Sequence, residues 1–128
     1  MLKRIQITQE DKITKKKTIL FDEMSESDLF DITYFEKDTG LKTTIYISKK
    51  NDFCEIVRYG KMRTIAHLEK DKESYIRILD SQGSVDIDVK LLSFQISDGK
   101  FVAEYQIYEF EQLVSHFVFT IAHLNPFS

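Results

Sequence analysis

The chain has 128 residues, 42% hydrophobic and 30% charged, with a net charge of −3. This length suits a single domain over residues 1–128, and the mixture is that of a folded soluble protein. The negative charge disfavours nucleic acid and anionic membranes as partners of the whole molecule. Cys54 is the only cysteine, which excludes an internal disulfide and fits a reducing compartment. No signal peptide or membrane-spanning stretch is evident, so we expect a cytoplasmic protein.

Alternation of apolar and polar residues dominates the chain and predicts short antiparallel strands. The runs with this period are Arg4–Thr8, Lys17–Asp22, Phe30–Glu36, Leu41–Ser48, Asp52–Tyr59, Met62–Leu68, Ser74–Leu79, Ser84–Leu91, Leu92–Ile96, Phe101–Phe110 and Leu113–Leu124. Asp98-Gly99 is the strongest hairpin signal, because glycine accepts the positive φ of a tight turn. The acidic segment Asp22–Leu29 is expected to be a loop or one helical turn. The pattern predicts an all-β barrel or sandwich, and the scarcity of glycine favours a closed barrel.

Several of these segments resemble a known family, the YwiB-like proteins, which are small bacterial proteins of unknown function. The segments are LKTTIYIS, EIVRYGKMRTIAHLE, QGSVDIDVKLLSFQI, DGKFVAEYQIYEF and HFVFTIA, between Leu41 and Ala122. The most specific part is Arg58, then Gly60, then Lys61-Met62-Arg63, although the turn is shorter here and the N-terminal loop is acidic. The resemblance implies a calycin-like, lipocalin-related antiparallel barrel of roughly eight to ten strands. It brings no activity with it, but calycins often hold small apolar ligands in the barrel.

The hairpin around Gly60 carries an arginine on each side. A two-residue turn at Gly60-Lys61 would pair Arg58 with Arg63 on the outer face, together with Cys54 and Ile56. The opposite, more apolar face, which includes Tyr59 and Met62, is then expected to face the interior. Like charges placed directly opposite destabilise a sheet, so a carboxylate such as Asp86 or Asp88, or else an anionic partner, should offset them. A three-residue loop would pair Arg58 with Met62 instead.

The interior offers a second candidate site. Phe101, Ala103, Tyr105 and Ile107 share one face of their strand, and Leu113, Ser115, Phe117, Phe119 and Ile121 share one face of the last strand. A barrel of about eight strands is either filled by side chains or just wide enough for one small ligand. The many aromatic residues favour a filled core, and a ligand cavity remains the alternative.

No catalytic constellation, phosphate-binding loop or metal-ligand spacing is visible, so we expect neither an enzyme nor a cofactor. Cys54 is expected to be a buried apolar residue. Tyr46 and Tyr59, with Lys42, Lys49, Lys50 and Lys61, could form a small patch for nucleic acid, which the overall acidity disfavours. The first hypothesis is a protein that binds a small apolar or amphipathic ligand in the barrel. The alternative is a module that docks an acidic protein or RNA on an outer Arg58/Arg63 face. The candidate residues are Arg58, Tyr59, Arg63 and Tyr105.

Overall fold

A computed structural model describes residues 2–28 and 30–124. These residues form ten strands and no helix: β1 Lys3–Asp11, β2 Lys16–Ser25, β3 Asp31–Phe35, β4 Lys42–Ser48, β5 Phe53–Tyr59, β6 Arg63–Glu69, β7 Ser74–Asp80, β8 Gly83–Ser97, β9 Lys100–Glu109 and β10 Gln112–Leu124. The prediction of an all-β protein is confirmed. In this part of the chain, no helix has the length and apolar character needed to span a membrane.

The ten strands form one antiparallel sheet in the order β2-β1-β10-β9-β8-β7-β6-β5-β4-β3. Strands β3 to β10 follow one another as a meander, and β1 then pairs with β10. The two edge strands, β2 and β3, approach each other: the N–H of Lys37, just after β3, donates to the carbonyl of Leu20 on β2 at 3.0 Å. The rings of Phe21 on β2 and Tyr34 on β3 also lie 5.2 Å apart, centroid to centroid. The sheet is therefore a nearly closed barrel, as predicted.

Hairpin turns alternate between the two ends of the barrel. The Gly60 end carries the turns at residues 12–15, 36–41, 60–62, 81–82 and 110–111, and the Gly99 end carries those at 49–52, 70–73 and 98–99. Gly99 has a φ of +70°, so the tight Asp98-Gly99 turn is confirmed. A residue with a side chain would be strained in that conformation.

The middle of the barrel is filled by side chains. Its fully buried large residues include Phe101, Phe119, Ile5, Ile7, Ile32, Ile45, Ile56, Leu68 and Ile121. These residues are the inward members of the alternating runs, so their burial supplies the main driving force for closing the sheet. The open cavities described below lie at the two ends of the barrel.

Two elements differ from the prediction. The runs Ser84–Leu91 and Leu92–Ile96 belong to the single strand β8, in which a bulge shifts the register between Leu91 and Ser93. The bulge shifts the alternation of inward and outward residues by one position, so the sequence pattern looks like the boundary between two strands. The segment Asp22–Leu29 is neither a loop throughout nor a helical turn, because β2 continues to Ser25. Leu29 itself lies outside the described residues.

Candidate functional site

The side chain of Arg58 points into the barrel. Residues alternate between the two faces of β5, and Cys54 and Ile56, which share the face of Arg58, are 0% and 1% exposed. Arg58 lies opposite Thr43 on β4 and opposite Thr64 on β6. The prediction that placed Cys54, Ile56 and Arg58 on the outer face is therefore wrong.

The turn between β5 and β6 gives the physical reason. Tyr59 pairs with Arg63, which leaves three residues in the loop and not two, and Arg58 pairs with Thr64 and not with Met62. One extra loop residue shifts the pairing by one position, and a shift of one exchanges the two faces of a strand relative to its neighbour. Arg58 and Arg63 consequently lie on opposite faces of the sheet. They share no docking face, and they do not repel each other as a cross-strand pair.

A buried carboxylate holds Arg58 in place. Arg58 Nε lies 3.2 Å from each carboxylate oxygen of Glu36, whose side chain is only 3% exposed. The Thr39 hydroxyl donates a second hydrogen bond to Glu36 Oε1 at 3.3 Å. Neither Asp86 nor Asp88 is the partner, because the carboxylate of Asp86 binds Arg77. The sequence analysis missed Glu36, although it continues the inward alternation of β3 by one residue.

The terminal nitrogens of Arg58 remain available to a ligand. Glu36 accepts from Nε, whereas Nη1 and Nη2 form no hydrogen bond with any residue that the structure describes. The Arg58 side chain is 24% exposed, so solvent reaches it. A planar guanidinium binds a carboxylate or phosphate through two parallel hydrogen bonds. Glu36 therefore orients the guanidinium through Nε and leaves Nη1 and Nη2 without a partner among the described residues.

Two phenols lie near Arg58, the thiol of Cys54 lies near both phenols, and all three groups are buried. Tyr34, Tyr105 and Cys54 are 3%, 4% and 0% exposed. Burial raises the pKa of Tyr105 to about 12, against the opposing effect of the positive charge of Arg58. Burial also raises the pKa of Tyr34 and of Cys54 well above their ordinary values. Cys54 is thus a buried apolar residue, as expected, and not an activated nucleophile.

The Tyr34 hydroxyl is buried and has no hydrogen-bond partner among the described residues. Leaving such a group unpaired costs about 1–3 kcal/mol. The phenol lies close enough to Arg58 and Glu36 for both of their charges to act on its pKa. A polar group of a ligand at Arg58 is therefore a chemically suitable partner for this hydroxyl.

An open cavity of about 520 Å³ lies at the Gly60 end of the barrel. Its apolar lining is Met62, Ile78, Val85 and Ile87, and Asp80 and Glu109 line it as well. Arg58, Thr64, Ile78 and Val85 form one row across β5 to β8, all on the inner face. Val85 is nevertheless 63% exposed, so apolar inner wall lies open to solvent. The row leads from the anion-binding edge of Arg58, past Thr64, to an apolar surface.

A larger cleft, of about 700 Å³, lies at the Gly99 end between the β6–β7 turn and the bulge in β8. Val89, Leu91 and Phe94 form its apolar part, and charged residues of both signs in the segment 69–73 form its rim. Lys72 on this rim lies 3.5 Å from a carboxylate oxygen of Glu69. No arginine is among the described residues that line this cleft, so it offers no planar guanidinium of the kind that Arg58 presents.

The four predicted site residues separate into two pairs. Arg58 and Tyr105 lie inside the barrel, whereas Tyr59 and Arg63 lie outside it. The guanidinium carbon of Arg63 and Lys42 Nζ lie 5.6 and 5.8 Å from the centroid of the Tyr59 ring, and both contacts are cation–π interactions. The inner and outer pairs therefore cannot serve one ligand.

The predicted patch around Tyr46 and Tyr59 is also divided. Tyr46 lies between Asp31 and Glu55 on the neighbouring strands, whereas Tyr59 lies between Lys42 and Arg63. Lys49 is distant from both and packs over the Phe30 ring at 4.5 Å. The two tyrosines thus stand in surroundings of opposite charge. Over the described part of the chain, no group of three or more His, Cys, Asp or Glu side chains is arranged to hold a metal ion.

The sequence matches a protein family, and the fold matches a solved structure. A family model described as a domain of unknown function, DUF1934, matches residues 2–121. The chain belongs to this family. The crystal structure of the YwiB protein from Bacillus subtilis matches with a TM-score of 0.55 and 14% sequence identity, over 97% of this chain and 91% of that one. The resemblance to YwiB-like proteins is confirmed, and at this identity the match shows the fold alone. A search of curated proteins finds no match.

Proposed function

We propose that this member of the DUF1934 family is a non-enzymatic protein that binds an amphipathic anion at the Gly60 end of its barrel. The anionic head would bind the two terminal nitrogens of Arg58, and the apolar tail would lie on Ile78 and Val85. The observation that carries the proposal is the state of Arg58: its Nε is held by buried Glu36 while Nη1 and Nη2 make no hydrogen bond to a described residue.

A carboxylate is the head group that suits this site best. Its two oxygens match the planar edge of a guanidinium, and the pairing is stronger than a contact between neutral groups. The buried Tyr34 hydroxyl can donate to the same head group, which would satisfy an otherwise unpaired polar atom. These two donors favour an acid over an alcohol or an ester with the same tail.

The apolar inner wall supports the second half of the proposal. Strands in a sheet lie about 4.8 Å apart, so Val85, three strands from Arg58, is roughly 14 Å away along the row. Each methylene group that a ligand buries there contributes about 0.8 kcal/mol.

Calorimetric titration with dodecanoate, and separately with dodecanol, tests the proposal. Dodecanoate should bind at least tenfold more tightly than dodecanol, since only the acid forms the two parallel hydrogen bonds. Arg58→Lys keeps a charge beside Glu36 but loses the planar edge, and should weaken dodecanoate binding about tenfold, or about 1.4 kcal/mol. Arg63→Lys makes the same chemical change on the outer face and is the matched control.

Val85→Glu tests the position of the tail. Val85 is 63% exposed, so this substitution should leave the fold intact while placing a carboxylate on the apolar wall. Loss of dodecanoate binding with an unchanged melting temperature is the expected result. Equal binding of acid and alcohol, or equal effects of Arg58→Lys and Arg63→Lys, would rule out the proposed site.

A further inference from the structure

One row of outward-facing side chains crosses the sheet from β3 to β6. Phe35, Lys42, Tyr59 and Arg63 are direct cross-strand neighbours in that order, and all four are exposed. We call this row the basic strip. It lies on the opposite face of the wall from Arg58, so it is separate from the site proposed above.

The basic strip combines free positive charge with exposed aromatic rings. Lys42 and Arg63 flank the Tyr59 ring, and within the described chain neither forms an ion pair with a carboxylate. Phe35 is 66% exposed and Tyr59 is 42% exposed. A large aromatic side chain exposed to this extent loses the stabilisation of burial, and two of them in one row form a surface that a partner could cover.

The charge of the strip is locally isolated on an acidic molecule. On the same outer face, the next row along these strands, further from the Gly60 end, carries no charge. It consists of Thr33, Thr44, Val57 and Ile65. Only the row beyond it is acidic, with Asp31 and Glu55 on either side of Tyr46. The net charge of −3 therefore does not describe this face, whose field attracts anions at short range.

We propose that the basic strip binds a short segment of single-stranded nucleic acid. Phosphates would contact Lys42 and Arg63, and bases would stack on Phe35 and Tyr59. These rings lie two strands apart, or about 10 Å, so a short extended segment of several nucleotides can reach both rings with two of its bases. An acidic peptide would use the two cations but has no planar group that needs the two exposed rings, so the aromatic residues favour nucleic acid.

Fluorescence anisotropy with an end-labelled oligouridylate tests this inference. Phe35→Ala and Tyr59→Ala should each weaken binding about tenfold, because base stacking on an aromatic residue contributes that much or more. Tyr46→Ala is the matched control, since Tyr46 is 51% exposed on the same outer face but lies between carboxylates. It should leave the affinity unchanged.

The salt dependence tests the role of the cations. Two phosphate contacts on a single strand predict a slope of about −1.4 for the logarithm of the association constant against the logarithm of salt concentration. Lys42→Ala with Arg63→Ala should reduce that slope to near zero, whereas Lys90→Ala, an exposed lysine on β8, should not change it. Failure to bind the oligonucleotide at low salt would overturn the inference. So would a glutamate-rich peptide that binds equally well and is insensitive to Phe35→Ala.

Discussion

Arg58 and Glu36 form an ion pair in which Glu36 is buried and Arg58 is partly exposed. Removing the carboxylate of Glu36 from water is expensive, and one hydrogen-bonded cation offsets that cost only in part. Breaking a fully buried pair costs about 3–5 kcal/mol, and this pair should cost less because Arg58 is 24% exposed. Glu36 holds Arg58 through Nε, so the pair links the stability of the fold to the proposed site.

The residues of the site were partly visible in the sequence. Arg58 and Tyr105 were identified from their strands, but an incorrect turn length placed Arg63 on one face with Arg58. Tyr59 was predicted to face the interior, and this prediction is wrong because its side chain is 42% exposed. Glu36 and Tyr34 follow from the alternation along β3, yet a charged residue after a short strand is more often at the surface. Only its pairing with Arg58, 22 residues away, makes the inward position stable.

Asp22 provides a prediction about pH. Arg4 binds both Asp22 oxygens, at 2.8 and 2.9 Å, and these hydrogen bonds lower the pKa of Asp22 from 3.8 to about 2. Because the pKa of Asp22 is lower in the folded state than in the unfolded chain, ionised Asp22 stabilises the fold at pH values above its ordinary pKa of 3.8. That stabilisation is lost as the pH falls from about 3.8 through about 2. Asp22→Asn should therefore lower the melting temperature at pH 7 and converge with the wild type as the solution approaches pH 2.

Thermal unfolding followed by circular dichroism over this pH range measures the effect. Asp88→Asn removes an exposed carboxylate of β8 that forms no ion pair with a described residue, and serves as the control. A wild-type advantage over Asp22→Asn that stays constant from neutral to acidic solution would contradict the assignment.

At the scale of elements, strand positions were predictable and registers were not. Alternation located the strands because an inward apolar residue every second position is required for a buried face. It could not give the length of the Gly60 loop, since two and three residues are both common and differ by one position of register. The bulge in β8 was also not predictable, because only the pairing of β8 with β9 shows that one strand continues through it.

The lone thiol tests the register of β5 directly. Cys54 is fully buried on the inner face, so it should not react with a thiol reagent such as DTNB in the folded protein and should react fully in guanidinium chloride. Glu55→Cys in a Cys54→Ala background places a thiol on the outer face and should react quickly without denaturant. Rapid reaction of native Cys54 would indicate that the opposite face of β5 is buried.

At the scale of the whole molecule, composition and turn spacing were sufficient for an all-β barrel or sandwich, and the resemblance to YwiB-like proteins implied the barrel. The pairing of β1 with β10 was not predictable, since it joins segments more than 100 residues apart and leaves no local signal. The many aromatic residues favoured a filled core, but the sequence could not show that open cavities lie at the ends of the barrel. That distribution of space depends on how all ten strands bring their inward residues together.

The central claim, an anion held by Arg58, is tested most directly by a crystal structure of the protein grown with dodecanoate. We expect the carboxylate oxygens to lie about 2.7–2.9 Å from Arg58 Nη1 and Nη2, and the tail to pass Thr64 toward Ile78 and Val85. Dodecanoate bound instead in the cleft beside the β6–β7 turn would contradict the claim. So would a complex in which Arg58 Nη1 and Nη2 are occupied by groups of the protein itself.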